Sequence, residues 1–266
     1  MKKIITVFVS IITLVSCNSN DDQVNPIDNV SKKLKSIKTS TSGRTYEYGE
    51  NNFINRENFY YGNDGIVGTL DYVYNSKNQI TEVNQQNKNK QVDGTFRNFV
   101  RTVTYKYDNN GLISSSSQYY KYQDETDCTR IETAYEYSNS TLVKKLEETT
   151  DVYDNVSMVH TFYTYENNRL ESTETKIFEN GAYIPGSVIV NLKYDSSINP
   201  EYKLFPENFL KINPLINANN IISYLDNNNP NASYDAIITY DKDNFPEKIL
   251  RNYGSGSKFE YLYEYE

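Results

Sequence analysis

"YKYDNNGLI", Tyr105 to Ile113, reads as two strands and the turn between them. Upstream of the turn, Val103, Tyr105 and Tyr107 share one side of an extended chain, and Thr102, Thr104 and Lys106 share the other. A period of two, built from β-branched and aromatic residues, marks a half-buried antiparallel strand. Asp108-Asn109-Asn110-Gly111 then supplies residues that tolerate left-handed backbone and bond their own loop. Leu112 and Ile113 begin the return strand.

The pattern recurs. Tyr72-Val73-Tyr74 precedes Ile80, Tyr135-Glu136-Tyr137 precedes Leu142 and Val143, and Tyr163-Thr164-Tyr165 precedes Leu170. Weaker copies are Leu192-Lys193-Tyr194 and Ile238-Thr239-Tyr240 with Phe245. The second aromatic falls at 74, 107, 137, 165, 194 and 240, in steps of 33, 30, 28, 29 and 46. A period near 30 in strand-type sequence corresponds to two strands and two turns per repeat. With early pieces at Tyr46-Glu47-Tyr48 and Phe59-Tyr60-Tyr61, the count is roughly 12–14 strands, and a sheet that long curls or closes. The expected fold is all-β: a strongly curved antiparallel sheet or half-barrel of repeated hairpins.

The repeat tyrosines Tyr72, Tyr74, Tyr105, Tyr107, Tyr135, Tyr137, Tyr163 and Tyr165 form the candidate aromatic face. It serves either as core or as a platform for sugar rings. Stacking between neighbouring copies would add roughly 0.2–1 kcal/mol per cross-strand pair. The opposite face carries Lys106, Glu132, Glu136 and Lys193, which argues against a lipid-facing barrel wall.

The period breaks at residues 195–234, which hold Pro200, Pro206, Pro214 and Pro230. A short helix is expected around Pro206 to Ile212. The segment is either a binding loop or a plug over the sheet. Phe205, Phe209, Leu210, Leu215, Ile216, Ile221 and Ile222 make it too apolar for a free loop and favour the plug.

At the amino terminus, Lys2 and Lys3 precede an apolar run, Ile4 to Val15, too short for a membrane span of roughly 20 residues. It ends in Leu14-Val15-Ser16-Cys17, which resembles the bacterial lipobox. That resemblance implies a signal peptide over 1–16 and a lipid anchor on Cys17, since two or three acyl chains hold stably where one does not. An ordinary signal peptide with a chance cysteine is the alternative. Residues 17–33 then form the lipidated cysteine and a flexible tether before a single β domain, 34–266. Asn18 to Gln23 is either a solvated spacer or resembles a surface-export signal of Bacteroidota lipoproteins. The membrane face therefore stays open.

Net charge is −8, with 26 Tyr, 11 Phe and no Trp. Without a basic stripe, nucleic acid is not an expected partner. Cys128 is the one cysteine beyond Cys17, so no internal disulfide can form in the mature chain. His160 is the single histidine, which leaves Cys128 without a nearby base in sequence. Asp108-Asn109-Asn110 lacks the spacing of a calcium loop. Glu147, Glu148, Asp151, Glu171 and Glu174 offer no marked acid–base pair. No catalytic residue, metal or cofactor is assigned.

With the lipobox and the hairpins together, the chain resembles a Bacteroidota lipoprotein family of unknown function with a large, porin-like or curled β fold. The Tyr-x-Tyr-Asp-x-x-Gly hairpins are similar to the YD repeats of Rhs and teneurin proteins. "YDAIITYDKDNFPEKIL", Tyr234 to Leu250, resembles the family's closing hairpin. The implied function is a non-catalytic, outer-membrane-anchored binding module with a polysaccharide as first ligand class. A periplasmic structural partner of an envelope protein is the alternative, and a glycan-active enzyme the least favoured.

Overall fold

A computed structural model of the chain describes residues 32–62, 65–90, 96–179 and 182–266. The expected signal peptide, Cys17 and Asn18 to Gln23 lie outside the described residues. The first eight strands are β1 Leu34–Lys38, β2 Ser42–Tyr48, β3 Ile54–Tyr61, β4 Ile66–Tyr74, β5 Ile80–Lys90, β6 Phe96–Tyr107, β7 Ile113–Tyr122 and β8 Thr129–Ser138. The second eight are β9 Thr141–Thr150, β10 Val156–Glu166, β11 Arg169–Glu179, β12 Ala182–Ile198, β13 Asn219–Asp226, β14 Tyr234–Tyr240, β15 Pro246–Tyr253 and β16 Lys258–Tyr265. A 3-10 turn, Pro200–Leu204, and one short helix, α1 Glu207–Lys211, lie between β12 and β13.

The expected curved antiparallel sheet is present. It has sixteen strands, and its ends meet. Ile37 faces Tyr263 and Lys38 faces Leu262 across the β1–β16 seam, which closes the sheet into a barrel. Closure removes the unpaired edges that a sheet of this length would otherwise expose.

Six hairpin turns ring one rim, following β2, β4, β6, β8, β10 and β14. The β6–β7 turn is the opening motif. Asp108 N–H donates to the Leu112 carbonyl at 2.8 Å, and Asp108 Oδ1 accepts from the Asn110 and Leu112 amides, both at 2.9 Å. The carboxylate is thus occupied by its own loop. Gly111 has φ +78°, a conformation that costs L-residues strain. Asn75 and Asp241 organise the β4–β5 and β14–β15 turns with the same two side-chain bonds. The two-residue turns Asn139-Ser140 and Asn167-Asn168 have positive φ at both positions, as a hairpin of this length requires.

The second tyrosine of each repeat has a role that the sequence does not announce. Ladder register shifts at Tyr48, Tyr74, Tyr107 and Tyr137, one residue before each turn. Each of these phenols then donates to the first carbonyl of the strand before its own. Tyr48 bonds Leu34 at 2.8 Å, Tyr74 bonds Ile54 at 2.6 Å, Tyr107 bonds Ile80 at 2.7 Å and Tyr137 bonds Ile113 at 2.8 Å. Tyr194 and Tyr265 do the same to Leu170 and Pro246. The acceptor residues Leu34, Ile54, Ile80, Ile113, Leu170 and Pro246 are almost wholly buried. Neighbouring hairpins are therefore tied by hydrogen bonds. The expected ring stacking between repeat copies is not found, because the rings are spent reaching carbonyls or meeting the plug.

Burial pushes the phenols of Tyr48, Tyr165 and Tyr194 up to about 12, and those of Tyr74, Tyr107 and Tyr137 higher. A raised folded value means that the native state keeps protons the unfolded chain loses above about 10. This stability is full below the unfolded value and is lost as pH rises toward 12. We expect tyrosinate absorbance and loss of β circular dichroism to rise together in one steep alkaline step. Gradual titration of most tyrosines in a folded barrel would contradict this burial of the phenols.

The break in the period is a plug. It takes the place of a turn after β12 and folds inward. The two strands reach further in than the sequence suggested, so the insertion spans 199–218. Leu204, Phe205, Phe209, Leu210 and Ile212 are buried in one cluster with Tyr46, Tyr72, Val83 and Val103 from the wall. Phe205 meets Tyr72 edge-on at 5.4 Å, and Phe209 meets Tyr105 at 5.6 Å. The expected short helix is α1, which Pro206 begins.

Outward positions carry ion pairs, among them Arg56–Asp71, Lys144–Glu136, Lys248–Glu260 and Lys38–Glu264. Charges spread around the outer wall suit water and not the apolar band of a lipid-embedded barrel. Among the described residues, no helix is long and apolar enough to cross a membrane.

Candidate ligand cleft inside the barrel

The plug fills only part of the interior. Between it and the wall of β2 and β13–β16 lies a half-open cleft of about 250 Å³. Arg44, Glu201, Tyr224, Tyr234, Arg251 and Tyr263 give it its chemistry.

One side is a charged network. Asn199 caps the 3-10 turn, its Oδ1 accepting from Glu201 N at 3.0 Å, which fixes Glu201 at the plug surface. Arg44, on the inward face of β2, donates to Glu201 at 2.8 Å and to Glu57 at 3.3 Å. Tyr72 donates to the other Glu57 oxygen at 3.4 Å. Burial pushes the Glu57 carboxyl above its ordinary value, although Arg44 pulls the other way. Burial also opposes the Arg44 charge, but Glu201, Tyr46 and Glu57 outweigh it and hold the guanidinium firmly protonated.

The other side is aromatic around a second guanidinium. Arg251 shares the inward face of β15 with buried Ile249. Its guanidinium carbon lies 4.6 Å from the Tyr234 ring centre and 4.9 Å from that of Tyr261. Tyr224 stacks on Tyr234 at 5.3 Å with planes 3° apart, across the short β13–β14 seam. Tyr253 leans on Tyr234 at 5.4 Å. Arg251 Nε is buried and has no hydrogen-bond partner. Burial works against the Arg251 charge, and Tyr234, Tyr263, a hydrogen bond with Tyr253, and Tyr261 work for it.

The eight repeat tyrosines sit elsewhere. Tyr72 and Tyr105 face the plug, and Tyr74, Tyr107 and Tyr137 hold carbonyls. Tyr135 shares a hydrogen bond with Ser116 at 3.1 Å. Burial pushes the Tyr163 phenol up, and Tyr165 lines a smaller cavity of about 240 Å³ on the plug's far side. None of them lines the Arg251 cleft. The cleft residues went unnoticed because each stands alone in sequence. The available signal was the alternation Ile249-x-Arg251-x-Tyr253, which puts an arginine on a core face.

Of the carboxylates named from the sequence, Glu147 and Glu148 line one cavity with Glu132 and His160. Glu147 pairs with Lys145 at 2.8 Å, Glu174 with Lys176 at 3.2 Å, and Asp151 holds its own turn through Tyr153 and Asn155. His160 is on the outer wall, its Nδ1 2.8 Å from the Tyr183 hydroxyl. Cys128 is a half-buried free thiol. Among the described residues, no group of three His, Cys, Asp or Glu could hold a metal ion.

No protein-family model matches the sequence, and no curated protein is significantly similar to it. Two solved structures described as porin-like proteins are distantly similar to it. One, from Bacteroides vulgatus, is 14% identical over 88% of this chain and 99% of that chain, with a TM-score of 0.44. The other, from Bacteroides uniformis, is 11% identical over 88% of this chain and 96% of that chain, with a TM-score of 0.46. The likeness is distant and says nothing about what this chain binds.

Proposed function

We propose that the chain is a non-catalytic binding module of the cell envelope. It is lipid-anchored at Cys17 and holds a sugar-bearing ligand in the interior cleft. The observation that carries this reading is the stacked Tyr224–Tyr234 pair beside Arg251 in one cavity. Flat aromatic faces next to hydrogen-bonding groups suit a sugar ring.

At the plugged rim, Lys32 is held by Asp241 and Asp243, each at 2.6 Å, and Lys33 pairs its backbone with Glu266. The periplasmic assembly reading draws support from an outer aromatic cluster: His160 stacks on Phe178 at 6.2 Å, and both touch Tyr183.

The test is calorimetry of the full chain carrying Cys17→Ala against a panel of envelope and dietary glycans. Saturable heat with at least one glycan is expected; flat traces across the panel would remove the binding role. Incorporation of labelled palmitate by the natural chain, and its loss in Cys17→Ala, tests the anchor.

A further inference from the structure

Arg251 is a cation held in the barrel interior with no carboxylate beside it. Arginine cannot shed its proton to escape burial, as lysine or histidine can. Buried charges are otherwise paired or bound to ions. The other guanidinium of the cleft, Arg44, already has Glu57 and Glu201. Glu201 faces the same cleft, but its charge is engaged by Arg44 at 2.8 Å. Arg251 is therefore the charge in the cleft left for something else to complete.

We propose that the cleft binds the carboxylate of an acidic sugar, with Arg251 as its anchor. This deepens the glycan-binding reading and rests on it. Tyr234 and Tyr261, 4.6 and 4.9 Å from the guanidinium carbon, fix the plane of the group while leaving its Nε edge unbonded. A fixed guanidinium plane with its Nε donor unpartnered suits a carboxylate oxygen. Tyr224, stacked on Tyr234, extends an aromatic wall from that anchor and suits the face of the attached ring. A cleft of about 250 Å³ falls near the low end of ligand pockets, which suits one sugar unit and not a long chain.

The experiment compares methyl glucuronide with methyl glucoside, which differ at the carboxylate, and with acetate. Binding to the full chain carrying Cys17→Ala is measured by calorimetry. The glucuronide is expected to bind roughly 10–100-fold more tightly than the glucoside, the range of one charge-assisted hydrogen-bond pair. Acetate is expected to bind weakly and to compete. Arg251→Gln should abolish the preference for the acid, bringing glucuronide affinity down to that of the glucoside, with its melting temperature recorded as a folding check. Arg251→Lys should recover only part of the preference, because the ammonium lacks the planar fork. Equal binding of glucuronide and glucoside would overturn the carboxylate assignment and leave the glycan reading standing. Acetate binding as tightly as glucuronide would overturn the sugar part. If neither sugar binds while other glycans of the panel do, this cleft assignment fails alone; if no glycan binds, both fail.

Discussion

Phe209→Ala is expected to destabilise the barrel by about 3–5 kcal/mol, the range for removing a buried aromatic side chain. Phe209 is 7% exposed and lies at the centre of the plug, 5.6 Å from Tyr105 and 5.1 Å from Phe205. Truncation would leave a void between the plug and the wall around Tyr105. For a domain of this size the melting temperature should fall by roughly 10 °C. Denaturant titration checks it: the midpoint should move while the slope stays fixed. A loss below about 1 kcal/mol would mean that the segment covers the rim without forming part of the core.

Arg44→Met should cost about 2 kcal/mol at neutral pH. Removing one partner of a fully buried pair costs about 3–5 kcal/mol, but about a third of the Arg44 side chain, 34%, still meets solvent. The substitution strands Glu57, which is only 6% exposed. Its carboxyl already sits above the ordinary value in the fold. Between the two values the native state holds a proton that the unfolded chain has released. Stability from Glu57 is therefore full below the unfolded value and falls as pH rises through the folded one. Without Arg44 the folded value climbs further. The deficit of Arg44→Met should thus be largest near neutral pH and shrink as the solution is acidified toward the ordinary carboxylate range. Adding Glu57→Gln should recover much of the loss. A deficit independent of pH would show that Arg44 acts through packing alone.

The local parts of the fold were legible because they are written locally. Period-two alternation around Tyr105 and Tyr107 gives the strand, and Asp108 to Gly111 gives the turn, without any distant partner. The plug was legible from apolar content, since Phe205, Phe209 and Leu210 have nowhere else to go. Closure was not legible. The sixteen-strand count depends on β1 and β13, which lack the Tyr-x-Tyr signature, and on a seam between residues some 226 positions apart. The hydrogen-bonding role of the second tyrosine depends on a register shift, which appears only when two strands are laid side by side. The cleft was hidden for a related reason. That Arg44 has two carboxylates and Arg251 none is a fact of space, and both look alike as single arginines in polar strands.

The most direct test is a pair of cysteines across the closing seam. Lys38 and Leu262 are directly opposed on β1 and β16. Opposed strand residues lie within the span a disulfide can bridge, about 4.4–6.8 Å between Cα atoms. In a background of Cys17→Ala and Cys128→Ser, K38C/L262C should oxidise readily to a cross-linked monomer that migrates faster on a non-reducing gel. K248C/L262C, opposed within the β15–β16 hairpin, serves as the positive control. Cross-linking of both pairs is the result a closed barrel predicts. Cross-linking of the hairpin pair alone, with K38C/L262C remaining reduced, would contradict closure and open the interior cleft to solvent along one side.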